Sequence, residues 1–94
     1  MFGNRIIVVG AGVGGLTAAL TLASRGMDVT VLEKADHPGG KMREVAVGGA
    51  RLDAGPTVFT LPRIFEEIFA DAGDDLHRHV TLKPAEILAR HAWT

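Results

Sequence analysis

The chain has 94 residues, of which 47% are hydrophobic, and a net charge of −1, so it has the composition of a globular domain without the basic excess that nucleic-acid binding uses. It contains no cysteine, which excludes disulfides, thiolate catalysis and cysteine-ligated metals. A chain of this length is at most one domain and is too short to supply every strand of a dinucleotide-binding sheet.

The first third of the chain predicts one βαβ unit. The β-branched run Ile6 to Val9 predicts a short buried parallel strand that is closed by glycine. Apolar residues at helical spacing follow from Val13, and Gly26 stands where a left-handed cap would end this helix near Arg25. A second strand is predicted over residues 28–33, and the connection between the two strands is expected to be right-handed.

An antiparallel excursion and a second helix are predicted next. Residues 36–40 form a loop, and Gly48-Gly49 offers a two-residue turn between alternating segments that include Val45, Val47 and residues 50–53. Thr60, Leu61 and Pro62 resemble a cap and first turn, and apolar spacing predicts a helix from there to Gly73.

The remaining segments carry weaker signals. Residues 74–79 form a polar connection, and the alternation of Val80 and Leu82 predicts a short strand before Pro84. The element over residues 87–93 is not assigned. We expect Glu66, Glu67 and Asp71 to form the solvated face of the second helix and Phe65 and Phe69 to belong to the core. His77 and His79 have no third ligand in the sequence, so no metal site is expected.

The strongest chemical signal is the G-x-G-x-x-G spacing of Gly10, Gly12 and Gly15 between a predicted strand and a predicted helix. Its glycines permit a tight turn, close approach to a pyrophosphate and close helix packing, and the helix N-terminus favours phosphate. Glu33 follows Gly15 by 18 positions, close to the spacing of a carboxylate that accepts hydrogen bonds from a ribose diol. Such a carboxylate repels a 2′-phosphate and disfavours NADP. The alternative is a glycine turn kept for packing, with Glu33 at a solvated strand end.

Two further clusters are ambiguous from their residues alone. Pro38-Gly-Gly-Lys41, followed by Arg43, could approach a phosphate or could be an ordinary surface turn with solvated cations. Asp53-Ala-Gly-Pro-Thr57 could hold backbone close to a large flat group, although a hairpin exit loop is the simpler interpretation.

Taken in order and spacing, the motifs Gly10-Ala-Gly-Val-Gly-Gly15, Glu33, Pro38-Gly-Gly-Lys-Met42 and Asp53-Ala-Gly-Pro-Thr57 resemble the N-terminus of FAD-dependent carotenoid desaturases. This is the phytoene dehydrogenase family, within the amine oxidase type flavoproteins. The resemblance covers essentially all 94 residues, and Leu88-Ala-Arg-His-Ala-Trp93 is most similar to the hydroxyneurosporene or methoxyneurosporene desaturase branch.

The resemblance implies FAD as cofactor, with its ADP half near the first glycines and its flavin end near Asp53. Many relatives carry arginine on both sides of the paired glycine, whereas here His37 and Pro38 precede it and Lys41 follows, which keeps a charge without the planar fork. The cofactor-binding residues expected from the resemblance are Gly10, Gly12, Val13, Gly14, Gly15, Glu33, Lys34, Gly39, Gly40, Lys41, Met42, Gly55, Pro56 and Thr57.

The fold class that follows is α/β, with residues 1–94 as the N-terminal part of a Rossmann-like FAD-binding domain, inactive alone. The resemblance implies desaturation of an acyclic carotenoid of hydroxyneurosporene type, with phytoene desaturation as the alternative. It also implies a cytoplasmic enzyme peripheral to the membrane, and it identifies no catalytic residue or oligomeric state. One alternative function is that of a non-catalytic, escort-type relative of the flavoprotein fold. The other is an NAD-binding dehydrogenase domain, and the antiparallel excursion argues against this second alternative.

Overall fold

In the computed structural model, which describes residues 4–94, a parallel βαβ unit is followed by an antiparallel hairpin and a second helix. This arrangement confirms the predicted Rossmann-like α/β fold class. The elements are β1 (Arg5–Val9), α1 (Val13–Ser24), β2 (Asp28–Leu32), β3 (Glu44–Val47), β4 (Ala50–Asp53), α2 (Pro62–Asp71) and a 3₁₀ turn at Leu76–Arg78.

The parallel pairing of β1 and β2 determines where the functional loops meet. The register runs from Arg5 opposite Asp28 to Val9 opposite Leu32, and the first of these pairs forms an exposed ion pair of 3.6 Å. Beyond the last pair, the N–H of Gly10 donates to the carbonyl of Leu32 at 2.7 Å. The glycine loop and the residue after β2 therefore lie side by side at the carboxyl edge of the sheet, where α/β folds bind their ligands.

Helix α1 packs on one face of this sheet only. Ala11 and Ala19 are buried and Ile6 and Val8 half-buried, whereas Ile7 is 65% exposed, Val9 82% and Leu32 51%. The prediction that the first strand is buried is therefore wrong for one of its two faces, because no other element of residues 4–94 covers that face.

Both ends of α1 agree with the sequence prediction. The helix ends at Ser24 with Arg25 as its cap residue, and Gly26 has a φ of +88°, the left-handed conformation that glycine adopts without cost. Near its start, a Cβ added to Gly15 would lie 1.9 Å from the carbonyl oxygen of Gly10. The third glycine of the fingerprint therefore allows the helix to pack against the strand end.

The β3–β4 hairpin forms with the predicted two-residue turn. Gly48 and Gly49 have φ values of +55° and +84°, which is the pattern of a type I′ turn. Arg51 forms an ion pair with Glu44 across the hairpin. The N–H of Ala54 donates to the carbonyl of Arg43 at 2.8 Å, so the paired strands continue toward the loop that precedes β3.

Helix α2 is capped one residue later than predicted. Leu61, not Thr60, occupies the N-cap position, with a φ of +52° and no side-chain cap, so the prediction that Thr60 caps the helix is wrong. Pro62 at the first helical position disfavours the right-handed helical conformation for the residue before it, which accounts for the displaced start. The predicted solvated face is confirmed, since Glu66 and Glu67 are exposed.

The polar connection after α2 contains a 3₁₀ turn that the sequence did not indicate. Asp75 caps it by accepting a hydrogen bond from the N–H of His77 at 2.9 Å, and Leu76 is buried. His79 lies 2.7 Å from Asp74, and this hydrogen bond is the largest cause that lowers the pKa of the Asp74 carboxyl. The strand predicted around Val80 is wrong, because residues 80–94 form no helix or strand.

No helix in the described part of the chain has the length and apolarity needed to cross a membrane.

The first prediction compares two adjacent glycines in the first turn of α1. Gly15→Ala places a methyl group against the carbonyl of Gly10 and is expected to destabilise the nucleotide-free protein by about 1–3 kcal/mol. Gly14→Ala meets nothing within 4 Å and is expected to be neutral or to stabilise by up to about 1 kcal/mol. Thermal unfolding midpoints of the two variants test this, and equal midpoints would contradict it.

Candidate functional site

The loop between β1 and α1 presents backbone N–H groups toward an open cleft. The first helical hydrogen bond joins the N–H of Leu16 to the carbonyl of Gly12 at 2.9 Å. The N–H groups of Val13, Gly14 and Gly15 precede it and have no helical acceptor, and no side chain caps this end of α1. Together with the positive end of the helix dipole, they form the kind of surface that binds phosphate.

Glu33 lies directly after β2 and contacts the glycine loop itself. Its Oε1 accepts a hydrogen bond from the N–H of Ala11 at 2.8 Å, and its Oε2 accepts one from the N–H of Ala35 at 2.9 Å. The bond from Ala35, followed by the bond from Ala11, lowers the pKa of the Glu33 carboxyl below its ordinary value. The carboxylate therefore stays ionised, with both oxygens as acceptors, to a lower pH than an unperturbed glutamate would.

The second glycine pair packs directly on the first glycine loop. The N–H of Gly39 donates to the carbonyl of Ala11 at 2.7 Å. Gly40 has a φ of +59°, and a Cβ added to it would lie 3.1 Å from the Cα of Gly12, so the two backbones are in contact. Of the two interpretations of Pro38-Gly-Gly-Lys41, the structure supports close approach to the phosphate loop over an unattached surface turn.

The third motif packs on the second. A Cβ added to Gly55 would lie 1.7 Å from the carbonyl oxygen of Lys41, a distance that no side chain can adopt. Asp53-Ala-Gly-Pro-Thr57 is therefore not only a hairpin exit, because its glycine supports the backbone of the loop that holds Gly40. The three motifs, far apart in sequence, form one continuous set of backbone contacts.

A cleft of about 500 Å³ opens between these loops and the start of α2. Glycine backbone forms one side of it, and an apolar wall that includes Phe59 and Phe65 forms another, with the two ring centroids 4.8 Å apart. Its lining residues are Gly12, Val13, Gly39, Gly40, Lys41, Met42, Pro56, Val58, Phe59, Thr60 and Phe65.

Most of the residues expected from the sequence either line this cleft or support it. Gly10, Gly15 and Gly55 lie behind its surface, where they permit close packing, and Gly14 and Glu33 flank the loop. Lys34 and Thr57 are exposed and are not part of the lining. Two lining residues, Val58 and Phe59, were not predicted from the sequence, and Phe65 was expected in the core. The one sequence signal for Val58 and Phe59 is that they directly follow the third motif.

A larger groove of about 690 Å³ runs along the hairpin, lined by residues that include Arg43, Arg51 and Asp53. It shares Met42 and Pro56 with the cleft but contains none of the glycines. Size alone would favour this groove, yet phosphate binds to exposed N–H groups and bare backbone, and of these two pockets only the smaller cleft is lined by glycines.

The second prediction tests the support from the third motif. Gly55→Ala forces the carbonyl of Lys41 to move, so the loop over residues 39–42 is expected to exchange its amide hydrogens faster by about tenfold. Gly48→Asn, at the far end of the same hairpin, has open space and a turn conformation that asparagine tolerates. It is the matched control and should leave that loop unchanged, and an equal response of both variants would contradict the prediction.

Comparison with known families and structures agrees with this geometry. The family described as NAD(P)-binding Rossmann-like domain matches residues 8–73. A fatty acid isomerase from P. acnes, described as CLA-producing, has a crystal structure that matches with a TM-score of 0.59 and 36% sequence identity, over 76% of this chain and 17% of that one.

Among curated proteins, the hydroxyneurosporene desaturase of Rubrivivax gelatinosus is 59% identical over 90 residues, which are 96% of this chain and 17% of that protein. The neurosporene-forming phytoene desaturase of Rhodobacter capsulatus is 45% identical over 83 residues, 88% of this chain and 16% of that protein. These matches confirm the resemblance to carotenoid desaturases, although the chain spans only about a sixth of their length. With the βαβ unit, the glycine fingerprint and the match over residues 8–73, the chain belongs to the NAD(P)-binding Rossmann-like domain family.

Proposed function

We propose that this chain is the N-terminal part of the FAD-binding domain of a carotenoid desaturase that acts on an acyclic carotenoid of hydroxyneurosporene type. The observation that carries the proposal is the contact of the three glycine motifs around the N-terminus of α1, with Glu33 at the neighbouring strand end. The similarity to hydroxyneurosporene desaturases supports the choice of substrate.

The residues present fit a dinucleotide with an unmodified adenosine ribose. A Cβ on Gly12 would have 4.0 Å to the nearest backbone atom, Gly40 Cα, so the absence of a side chain there is not required by protein packing. Bare backbone at this point is what a pyrophosphate needs to approach. Glu33 would repel a 2′-phosphate, which favours FAD or NAD over NADP. The similarity to carotenoid desaturases supports FAD.

Each of the expected residues then has a role toward the cofactor. The N–H groups of Val13, Gly14 and Gly15 bind the pyrophosphate, and Lys41 adds positive charge from the opposite loop. Each oxygen of Glu33 keeps one lone pair beyond its backbone hydrogen bond. These lone pairs accept hydrogen bonds from the two ribose hydroxyls, and Lys34 lies next to this contact.

The side of the cleft away from the N-terminus of α1 binds the flavin end of the cofactor. Met42 and Pro56 are lining residues, and the adjoining Gly55 packs on the carbonyl of Lys41, while Thr57 follows Pro56 in an exposed position. When bound, FAD would supply the two-electron redox chemistry that converts a carbon–carbon single bond to a double bond with loss of a hydride and a proton. The residues of this chain bind and orient the cofactor, and the catalytic residues are expected outside it.

The substrate is proposed to be a carotenoid taken from a membrane, so the full-length enzyme is cytoplasmic and binds the membrane surface peripherally. The apolar wall of Val58, Phe59 and Phe65 gives the open end of the cleft a lining that suits a long hydrocarbon. Phytoene desaturation is the second candidate, favoured by the 49% identity to the zeta-carotene-forming phytoene desaturase of Myxococcus xanthus.

The third prediction tests the cofactor. The full-length protein is expected to be purified with bound flavin, visible in its absorption spectrum. Gly12→Ala is expected to fold normally but to retain less than about a tenth of the flavin, because the methyl group occupies the space of the pyrophosphate. Gly14→Ala, whose Cβ meets nothing, is the control for folding. A yellow Gly12→Ala variant would contradict the proposal.

The fourth prediction tests the substrate. The full-length enzyme, supplied in lipid with hydroxyneurosporene or with phytoene, is expected to extend the polyene of the first and to leave the second largely unchanged. A site with a buried partner for the hydroxyl rejects an analogue that lacks it more strongly than an apolar site discriminates chain length. Absorption spectra of the products measure this. Stepwise conversion of phytoene would select the second candidate and would leave the flavin assignment intact.

A further inference from the structure

Both oxygens of the Glu33 carboxylate have protein partners in the absence of any nucleotide. One partner is the N–H of Ala11, the buried residue between the first two glycines of the fingerprint, at 2.8 Å. The other is the N–H of Ala35, at 2.9 Å, in the turn that follows β2. A single side chain thus joins the phosphate loop to the segment after the second strand.

The loop around Ala11 needs such a restraint. It lies among Gly10, Gly12 and the following glycines, and glycine loses more conformational entropy than any other residue when it becomes ordered. Two backbone hydrogen bonds also hold this loop, from Gly10 to Leu32 and from Gly39 to Ala11, each 2.7 Å, together with the packing of Gly40 on Gly12. Without the carboxylate, the N–H of Ala11 would have no protein acceptor among the described residues.

We propose that Glu33 is a positioning residue whose carboxylate orders the glycine loop for the nucleotide, and that this raises nucleotide affinity independently of any contact between Glu33 and the ribose. The inference rests on the proposed dinucleotide function. Because each carboxylate oxygen has two lone pairs, ordering the loop and accepting ribose hydroxyls are compatible roles. A loop that is ordered before binding loses less entropy when the ligand arrives, and affinity rises accordingly.

The N–H of Ala11 is also removed from the set of phosphate donors. It donates to Glu33, so the N–H groups of Val13, Gly14 and Gly15 remain for the phosphate. Bound to Ala11, Glu33 holds the loop from which α1 begins, and the uncapped helix start reaches the cleft at Gly12 and Val13.

The test separates the two roles by removing the ribose hydroxyls from the ligand. Dissociation constants of ADP and of 2′,3′-dideoxy-ADP are measured on the flavin-free, full-length protein for the wild type and for Glu33→Gln. The N–H groups of Ala11 and Ala35 bind different oxygens of the carboxylate, and glutamine replaces one of these oxygens with an NH2 group that cannot accept. One of the two bonds is therefore lost, and the link between the glycine loop and the segment after β2 is broken. We expect Glu33→Gln to weaken both nucleotides, dideoxy-ADP by about tenfold.

The outcomes are distinct. If Glu33→Gln weakens ADP and leaves dideoxy-ADP unchanged, Glu33 acts through the ribose alone and the inference is overturned while the proposed function stands. If the wild type binds neither nucleotide, the proposed function fails and the inference fails with it. A loss for dideoxy-ADP of the expected size supports the inference, whether or not ADP loses more.

A second measurement needs no ligand. Amide hydrogen exchange of the peptide that contains Ala11 is expected to accelerate by about tenfold in Glu33→Gln and in Glu33→Asp, which keeps the charge but is one methylene shorter. Asp75→Asn is the matched control, because Asp75 also accepts a backbone N–H, from His77 at 2.9 Å, in the turn after α2. It should change neither exchange at Ala11 nor nucleotide affinity. Unchanged exchange in both Glu33 variants would overturn the inference.

Discussion

The candidate site depends on contacts between main-chain atoms that any side chain would prevent. A Cβ at Gly40, whose φ is +59°, would lie 3.1 Å from the Cα of Gly12, closer than an ordinary contact, and a Cβ at Gly55 would clash with the carbonyl of Lys41. A Cβ at Gly15 would likewise clash with the carbonyl oxygen of Gly10. Because these contacts are made by main-chain atoms, no change of side-chain rotamer alters them.

The fold could be predicted wherever the signal was local. The β-branched run of β1, the helical spacing of α1 and the Gly48-Gly49 turn each determine their own element, and all three are confirmed. The strand prediction failed because its outcome depends on a neighbour. Alternation at Val80 resembles a strand, but a strand needs a partner, and the described residues offer it none. At Thr60 the failure has a local cause, since Pro62 constrains the residue between them.

The site was predictable in its residues but not in its connections. The G-x-G-x-x-G spacing indicates a phosphate loop because the turn, the helix start and the glycines are adjacent in sequence. That Gly55 supports Lys41, or that Glu33 binds Ala11 across 22 positions, follows from the fold and has no signature in the chain. The apolar wall at Phe59 was missed for the same reason, since its spacing alone does not distinguish a cleft lining from a core.

The one-sided packing of the sheet has a practical consequence for handling this segment alone. Ile7, Val9 and Leu32 form an exposed apolar surface on a sheet of two strands, each with one unpaired edge. Bare strand edges beside such a surface recruit other extended chains, and no charged residue separates Ile7 from Val9 to oppose this. Expressed as 94 residues, the chain is therefore expected to aggregate with rising concentration. Ile7→Lys or Val9→Lys, on the face that α1 leaves uncovered, is expected to reduce this aggregation.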